Sequence, residues 1–284
     1  MPLRIVQSKQ NIRLKELRRA LACAGRGRRS LAGGLVGIEG PNLLEEALSA
    51  GLRVDCVFIA QGAEHLLEGL RLPVEVDLLL VPRELLNSVL ATETPQPVAA
   101  LVEPPEWNWE HLLGGAVKAL PPLGKAAPLI VVLAGLQDPG NLGTILRSAE
   151  AFGATGVLSL PETVSAWNPK AVRASAGSLF RLPLISACAE EGFARLRAAG
   201  VKILSTAVAG AKAADRIGLA GPVAFIIGNE GNGVPEEVAS QADGAVTIPC
   251  PGPVESLNAA VAASVLLYEA SRQRAGRKPG RSQR

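Results

Sequence analysis

Residues 129–152 read LIVVLAGLQDPGNLGTILRSAEAF, and this stretch decides the fold. Leu129–Leu136 is a near-continuous apolar run of strand length, so both faces of that strand have to be covered. A Gly/Pro turn at Asp138-Pro139-Gly140 breaks it, and a helix is expected over Leu142–Phe152. The same alternation continues downstream. A strand is expected at Gly156–Leu160, then an irregular stretch to Arg181 and a helix at Cys188–Ala199. Strands follow at Lys202–Thr206, Val223–Ile227 and Ala245–Ile248, and a helix closes the series at Leu257–Ser271. Near-continuous apolar strands alternating with helices indicate an α/β fold on a parallel sheet covered on both faces.

Upstream the alternation recurs on a smaller scale. A strand at Leu35–Ile38 leads through the turn Glu39-Gly40-Pro41-Asn42 into a helix at Leu43–Ala50, with Gly51 in the C-cap position. A strand at Val54–Ile59 completes a βαβ unit, and further strands are expected near Leu78–Val81 and Val98–Val102. Before them, Asn11–Cys23 reads as an amphipathic basic helix. Between Glu103 and Pro128, clustered prolines and glycines suit a linker, with room for a short helix in Trp107–Val117. The 284 residues thus divide into a first domain at 1–103, a linker at 104–128, a second domain at 129–271 and a basic tail at 272–284.

A chain with 48% hydrophobic and 19% charged residues is globular and has ample core. Its longest apolar runs, Pro128–Leu136 and Ala259–Tyr268, are too short to span a membrane. The basic N-terminus lacks the apolar core of a secretory signal, so a cytoplasmic address is expected. Cys23, Cys56, Cys188 and Cys250 are scattered, which suits buried free thiols better than a metal site or disulfides. His65 and His111 stand alone, and no metal is expected. The net charge of +3 hides an asymmetry: residues 1–29 hold nine Lys/Arg against one Glu, and residues 271–284 hold six against none. The remaining body has 14 basic and 25 acidic residues. Basic ends on an acidic body suggest arms that meet phosphate, and for the C-terminal RQRAGRKPGRSQR a solvated, solubilising tail is the equal alternative.

Three segments just past strands carry chemistry. In Asp138–Arg147 (DPGNLGTILR), Asn141 stands at or near the helix N-cap, and Arg147 lies six residues on, within one broad face. In Ile226–Val234 (IIGNEGNGV), Gly228, Gly231 and Gly233 suggest a loop wrapped against a ligand. Their spacing is neither the dinucleotide fingerprint nor a phosphate-binding P-loop. In Ile248–Asn258 (IPCPGPVESLN), Ser256 suits a helix N-cap, whereas Asn258 near the start of an Ala-rich helix has no such structural explanation.

Taken together and in order, DPGNLGTILRSAEAFG, IIGNEGNGV and IPCPGPVESLNAAVAASVLLYE resemble the three motifs of the SpoU (TrmH-type) branch of the SPOUT RNA methyltransferases. NPKAVRASAGSLFRLPL resembles the connecting segment of that family, and the likeness covers about Leu129 to Ala270. Gly37–Ile59 is similar to the small ribosomal-protein-like substrate-binding domain that often precedes it. The resemblance implies a small N-terminal α/β RNA-binding domain and a C-terminal parallel-sheet domain with a deep trefoil knot. It also implies a homodimer that transfers a methyl group from S-adenosylmethionine to a ribose 2′-hydroxyl in structured RNA, ribosomal or transfer RNA. Carried over by motif, Gly228, Ile248, Leu257 and Thr206 bind the cofactor, and Arg147, Asn141, Glu230, Ser256 and Asn258 form the reaction site.

Two rival readings exist. A nicotinamide-dependent oxidoreductase would need the glycine fingerprint and a following acidic residue, and both are lacking. A non-catalytic RNA-binding protein would use the first domain and basic arms to bind, and the second domain only to dimerise.

Overall fold

The structure, a computed structural model, describes residues 3–23, 34–90, 92–115, 127–207, 210–254 and 256–276. The first elements are β1 (Leu3–Ile5), α1 (Ile12–Cys23), β2 (Val36–Glu39), α2 (Pro41–Ser49), β3 (Val54–Ala60), β4 (Asp77–Val81), α3 (Arg83–Asn87) and β5 (Val98–Val102). Next come α4 (Trp109–Leu112), β6 (Leu129–Leu133), α5 (Pro139–Ala151), β7 (Gly156–Ser159), α6 (Pro169–Ser175), β8 (Leu184–Ser186) and α7 (Ala189–Ala198). The last described elements are β9 (Lys202–Thr206), β10 (Lys212–Ala213), β11 (Val223–Ile227), α8 (Glu236–Ala239), β12 (Gly244–Thr247) and α9 (Ala259–Gly276).

Two compact units form. One comprises Met1–Glu106 with Ser165–Arg181, the other Trp107–Val164 with Leu182–Arg284. The first is built on a five-stranded sheet of order β1-β4-β3-β5-β2. Its centre is apolar because β3 and β5 bury almost every residue on both faces. β5 runs against both β3 and β2, while β1, β4 and β3 are parallel. The helix α1 buries Leu14, Leu17, Ala20 and Leu21 and turns Lys15, Arg18 and Arg19 outward. Gly40 stands before α2 at φ 108°, a conformation open to glycine, and Pro41 supplies the first helical turn.

Segment 165–181, expected to be irregular, belongs to this first unit and holds α6 and a 3-10 turn at Ser178–Phe180. Asn168 caps α6 by accepting a hydrogen bond from the Lys170 N–H at 2.9 Å. A helix of seven residues that buries only Ala171, Val172 and Ser175 is too short to display a helical apolar period. Arg173 of α6 stands 3.8 Å from Glu39, a buried carboxylate that also accepts from Thr92 Oγ1 and the Gln96 N–H.

The second unit is a seven-stranded, wholly parallel sheet of order β10-β12-β9-β11-β6-β7-β8. Ile130, Val132, Leu158, Ile203, Ala224 and Ile226 face one side, against Phe193 and Leu196 of α7, Leu112 of α4 and Val238 of α8. The alternate residues Leu129, Val131, Leu133, Val223, Phe225 and Ile227 are buried on the other side, where α5 and α9 pack. Each fully buried Val, Leu, Ile or Phe contributes about 1.5–3 kcal/mol, so this double cover explains the unbroken apolar strands. Part of the stretch expected as linker also joins this core. Leu112 is fully buried, and its carbonyl accepts a hydrogen bond from Thr155 Oγ1 at 2.8 Å. At the far end of α9, the Arg274 guanidinium donates to the carbonyls of Ala127, Pro128 and Gly221.

The expectation of buried thiols is corrected. Cys56 is buried, but Cys188 and Cys250 are exposed, because they lie in the connections before α7 and after β12; all three are free. The side chain of Cys23 and the tail beyond Gly276 lie outside the described residues. Among the described residues no helix is long and apolar enough to cross a membrane, and no three His, Cys, Asp or Glu gather as a metal site.

Candidate active site

In a parallel sheet the connections at the carboxyl ends of the strands form a natural crevice. Here the segments after β6, β11 and β12 carry the three motifs. β11 lies between β6 and β9, and β12 pairs with β9. Their ends are level: Ile227 pairs with Leu133, and Val246 with Thr206.

The first motif enters α5 through Asp138, whose carboxylate accepts from the Gly140 N–H at 2.7 Å, with Pro139 behind it. Asp138 is therefore the cap, and Asn141, expected at or near that position, sits inside the first turn. Freed from capping, Asn141 reaches across to the second motif. Its Nδ2 donates to Glu230 Oε1 at 2.9 Å. The Glu230 carboxylate also accepts from the Asp138 N–H at 3.1 Å and the Gln137 N–H at 3.2 Å. Partial burial alone would raise the Glu230 pKa, but the bonds from Asn141 and from backbone N–H groups outweigh it and hold the carboxyl below its usual range.

Asn258 supplies the third corner. Its Nδ2 donates to Asn141 Oδ1 at 3.0 Å, while its own Oδ1 accepts from the N–H groups of Ala260 (2.9 Å) and Val261 (3.3 Å). Asn258, not Ser256, is thus the residue that caps α9, because the helix begins at Ala259, two residues later than expected. Ser256 is exposed two residues ahead of the cap. One chain of bonds, Glu230–Asn141–Asn258, fastens all three motifs together.

The glycine-rich loop folds back on itself. Asn229 and Gly233 exchange backbone hydrogen bonds of 2.8 and 3.0 Å. A Cβ on Gly228 would lie 2.1 Å from the Gly233 carbonyl carbon and 2.2 Å from the Val234 nitrogen, so only glycine fits. Gly233 adopts φ 68°. Asn229, not singled out from sequence, organises this turn: its Nδ2 donates to the Gly135 carbonyl at 3.0 Å and its Oδ1 accepts from the Gly231 N–H at 2.8 Å. Its signal in the sequence is an Asx residue two positions before a glycine.

The remaining residues fall into two groups. Thr206, Gly228 and Ile248 stand at or just past the ends of β9, β11 and β12, with the Thr206 hydroxyl donating to the Ile226 carbonyl at 2.9 Å. Leu257, half-buried, precedes the α9 cap. Arg147 is exposed on α5 and forms no hydrogen bond or ion pair with any described residue. At six residues beyond Asn141 it stands about 9 Å along the helix and about 120° around it, so the two share only a broad arc.

A second surface adjoins this one. Val261, Val265 and Tyr268 of α9 are exposed at 48%, 38% and 54%. With Thr144 of α5 and Phe152 at its C-terminal cap, they line a shallow apolar recess.

The chain resembles characterised proteins along most of its length. Residues 128–268 match the SpoU rRNA Methylase family, and residues 38–107 match the family for RNA 2′-O ribose methyltransferase substrate binding. The 23S rRNA (guanosine(2553)-2′-O)-methyltransferase RlmP of Bacillus subtilis is 32% identical over 235 residues, covering 81% of this chain and 86% of the relative. An uncharacterized tRNA/rRNA methyltransferase of Mycolicibacterium vanbaalenii is 35% identical over 244 residues, covering 83% and 76%. Among solved structures, the SpoU methyltransferase AviRb of Streptomyces viridochromogenes in complex with AdoMet superposes with a TM-score of 0.77 at 28% identity, covering 95% of this chain and all of the other. An AdoMet-bound rRNA methyltransferase from Sinorhizobium meliloti gives a TM-score of 0.77 at 28% identity, covering 95% and 98%.

Proposed function

This chain belongs to the SpoU rRNA methylase family, and from that premise we propose that it methylates a ribose 2′-hydroxyl in structured RNA, ribosomal or transfer, from S-adenosylmethionine. The observation that carries the reading is the bond chain Glu230–Asn141–Asn258, which gathers three distant motifs at the carboxyl ends of a parallel sheet. Adjacent strand ends at Thr206, Gly228 and Ile248, with Leu257 beyond them, would hold the cofactor, and the close packing of Gly228 on the Gly233 backbone keeps the loop in the shape that would receive it. When bound, S-adenosylmethionine supplies the electrophilic methyl group.

The roles of the residues follow from their bonds. A carboxylate engaged by three donors and held below its usual pKa is a poor proton acceptor, so Glu230 serves to position Asn141 and the turn at Gln137-Asp138. Asn141 and Asn258 each spend one amide N–H inside the network and keep a second for the nucleophile or its neighbours. Ser256, exposed two residues ahead of Asn258, would add a hydroxyl to that group. Arg147, exposed and uncommitted, is suited to grip the phosphate next to the target ribose and to stabilise negative charge as the hydroxyl proton passes to solvent water.

The apolar recess between α5 and α9 supports a homodimer, since exposed Val261, Val265 and Tyr268 repeat at helical spacing on one face. We also place the chain in the cytoplasm and read its second unit as threaded into a trefoil knot, as the family resemblance implies. The test is methyl transfer from labelled S-adenosylmethionine to ribosomal and transfer RNA, with the label located after alkaline hydrolysis. Label in hydrolysis-resistant dinucleotides supports the assignment, and label on bases, or none, overturns it.

A further inference from the structure

If the substrate is RNA, as proposed above, the first unit poses an electrostatic problem. Residues 38–107, the stretch matched to substrate binding, contain Arg53, Arg71 and Arg83 as their only Lys or Arg, against twelve Asp or Glu. Taken by itself, that stretch carries a net charge of −9 and repels a phosphate backbone. Arg53, moreover, is taken up by Glu103 and Asp55.

Cationic charge lies instead just outside that stretch. Residues 3–23 hold six Lys or Arg and a single acid, Glu16. Arg13 spends its charge internally, on Glu16 (3.0 Å), Asp55 (2.9 Å) and Asp77 (3.2 Å), and so fixes α1 to the strands β3 and β4. Arg4 lies 3.6 Å from the same Asp77. Lys15, Arg18 and Arg19 are left over. They are exposed at positions i, i+3 and i+4, and none pairs with a described residue. Like charges at that spacing repel one another, and Lys15 stands in the first turn, where the helix dipole disfavours a cation. The fold gains nothing from them. The opposite side of α1 is locked by buried Leu14, Leu17 and Leu21, so this cationic face is rigid.

We propose that Lys15, Arg18 and Arg19 on the outer face of α1, with Lys9 before it, form the surface on which the RNA backbone docks, and that the acidic fold beside it contributes no net phosphate attraction. The test uses the full chain and a structured ribosomal RNA fragment, with affinity measured by fluorescence anisotropy over a series of salt concentrations. Each phosphate contact adds about 0.9 to the slope of log affinity against log salt on a duplex and about 0.7 on a single strand. The triple change Lys15→Gln, Arg18→Gln, Arg19→Gln is expected to lower that slope by about two to three and the affinity about tenfold or more. In turnover, KM for RNA rises while kcat at saturating RNA and cofactor affinity hold. The control pair Arg71→Gln, Arg83→Gln leaves the slope unchanged, and the charge-preserving set Lys15→Arg, Arg18→Lys, Arg19→Lys retains it.

An unchanged slope in the neutralised variant, with an unchanged thermal melt, overturns the proposal. So does wild-type retention on phosphatidylserine vesicles without RNA binding. The measurement reads binding alone: a wild type that binds RNA and methylates nothing would defeat the enzymatic assignment and leave this one standing.

Discussion

Replacing Glu230 by glutamine keeps the shape of the side chain and removes its charge. The carboxylate now satisfies three donors, at 2.9, 3.1 and 3.2 Å. A glutamine has one acceptor oxygen, so its amide nitrogen must face the Gln137 N–H, donor against donor. Hydrogen bonds to a charged partner are worth about 1.5–3 kcal/mol and neutral ones about 0.5–1.5 kcal/mol. After discounting for solvent screening at an exposed carboxylate, the turn loses about 2 kcal/mol. If Asn141 is competent only while held, that loss lowers single-turnover methylation at saturating RNA about 10–50-fold, by the usual tenfold per 1.36 kcal/mol. A pH signature accompanies it. Because the folded Glu230 has a depressed pKa, its stabilisation is present above the ordinary value of 4.5 and is lost as pH falls through the folded value. Melting temperature in the wild type therefore declines toward acid more steeply than in Glu230→Gln. Wild-type turnover in the variant, or identical acid limbs, would refute the positioning role.

Four further outcomes are expected. Arg147→Ala lowers turnover about 100–1000-fold with little change in stability or cofactor affinity, and Arg147→Lys recovers a small part, as single-turnover rates would show. Gly228→Val abolishes cofactor binding by calorimetry while RNA binding persists, because even a Cβ there meets Gly233 at 2.1 Å. Val265→Asp yields a monomer by light scattering with loss of activity; a dimer would place the interface elsewhere. S-adenosylhomocysteine at a hundredfold excess over its Kd stabilises the fold by about 2.7 kcal/mol, whereas NAD does nothing measurable, which separates methyl transfer from nicotinamide chemistry and from bare RNA binding.

The parallel sheet was legible because double-sided burial leaves a mark: β6 and β11 are apolar at every position. Short elements leave none. β8 and β10 have three and two residues, too few for any period, and α6 was hidden for the same reason. The candidate site residues were marked by motif resemblance, yet their bonds were not. Asn141 meets Glu230 across 89 positions and Asn258 across 117, and no local pattern encodes such distances. Local chemistry also misassigned two caps. Asp138 outcompetes Asn141 at α5 because Pro139 sets the first turn there, and Asn258 takes the place expected of Ser256 because α9 starts at Ala259.

The order of strands in the second sheet has a consequence in time. β6 occupies an interior position, with β7 on one side and β11 on the other, and Val131 pairs with Phe225. During synthesis β7 follows within one short helix, but β11 emerges some ninety residues later, about 5–20 s at ordinary elongation rates. Throughout that interval one edge of LIVVL, among the most apolar strands in the chain, has no partner. The nascent second unit is thus most prone to self-association while its motifs are still incomplete, and the interval closes only with the strand that carries Gly228 at its end.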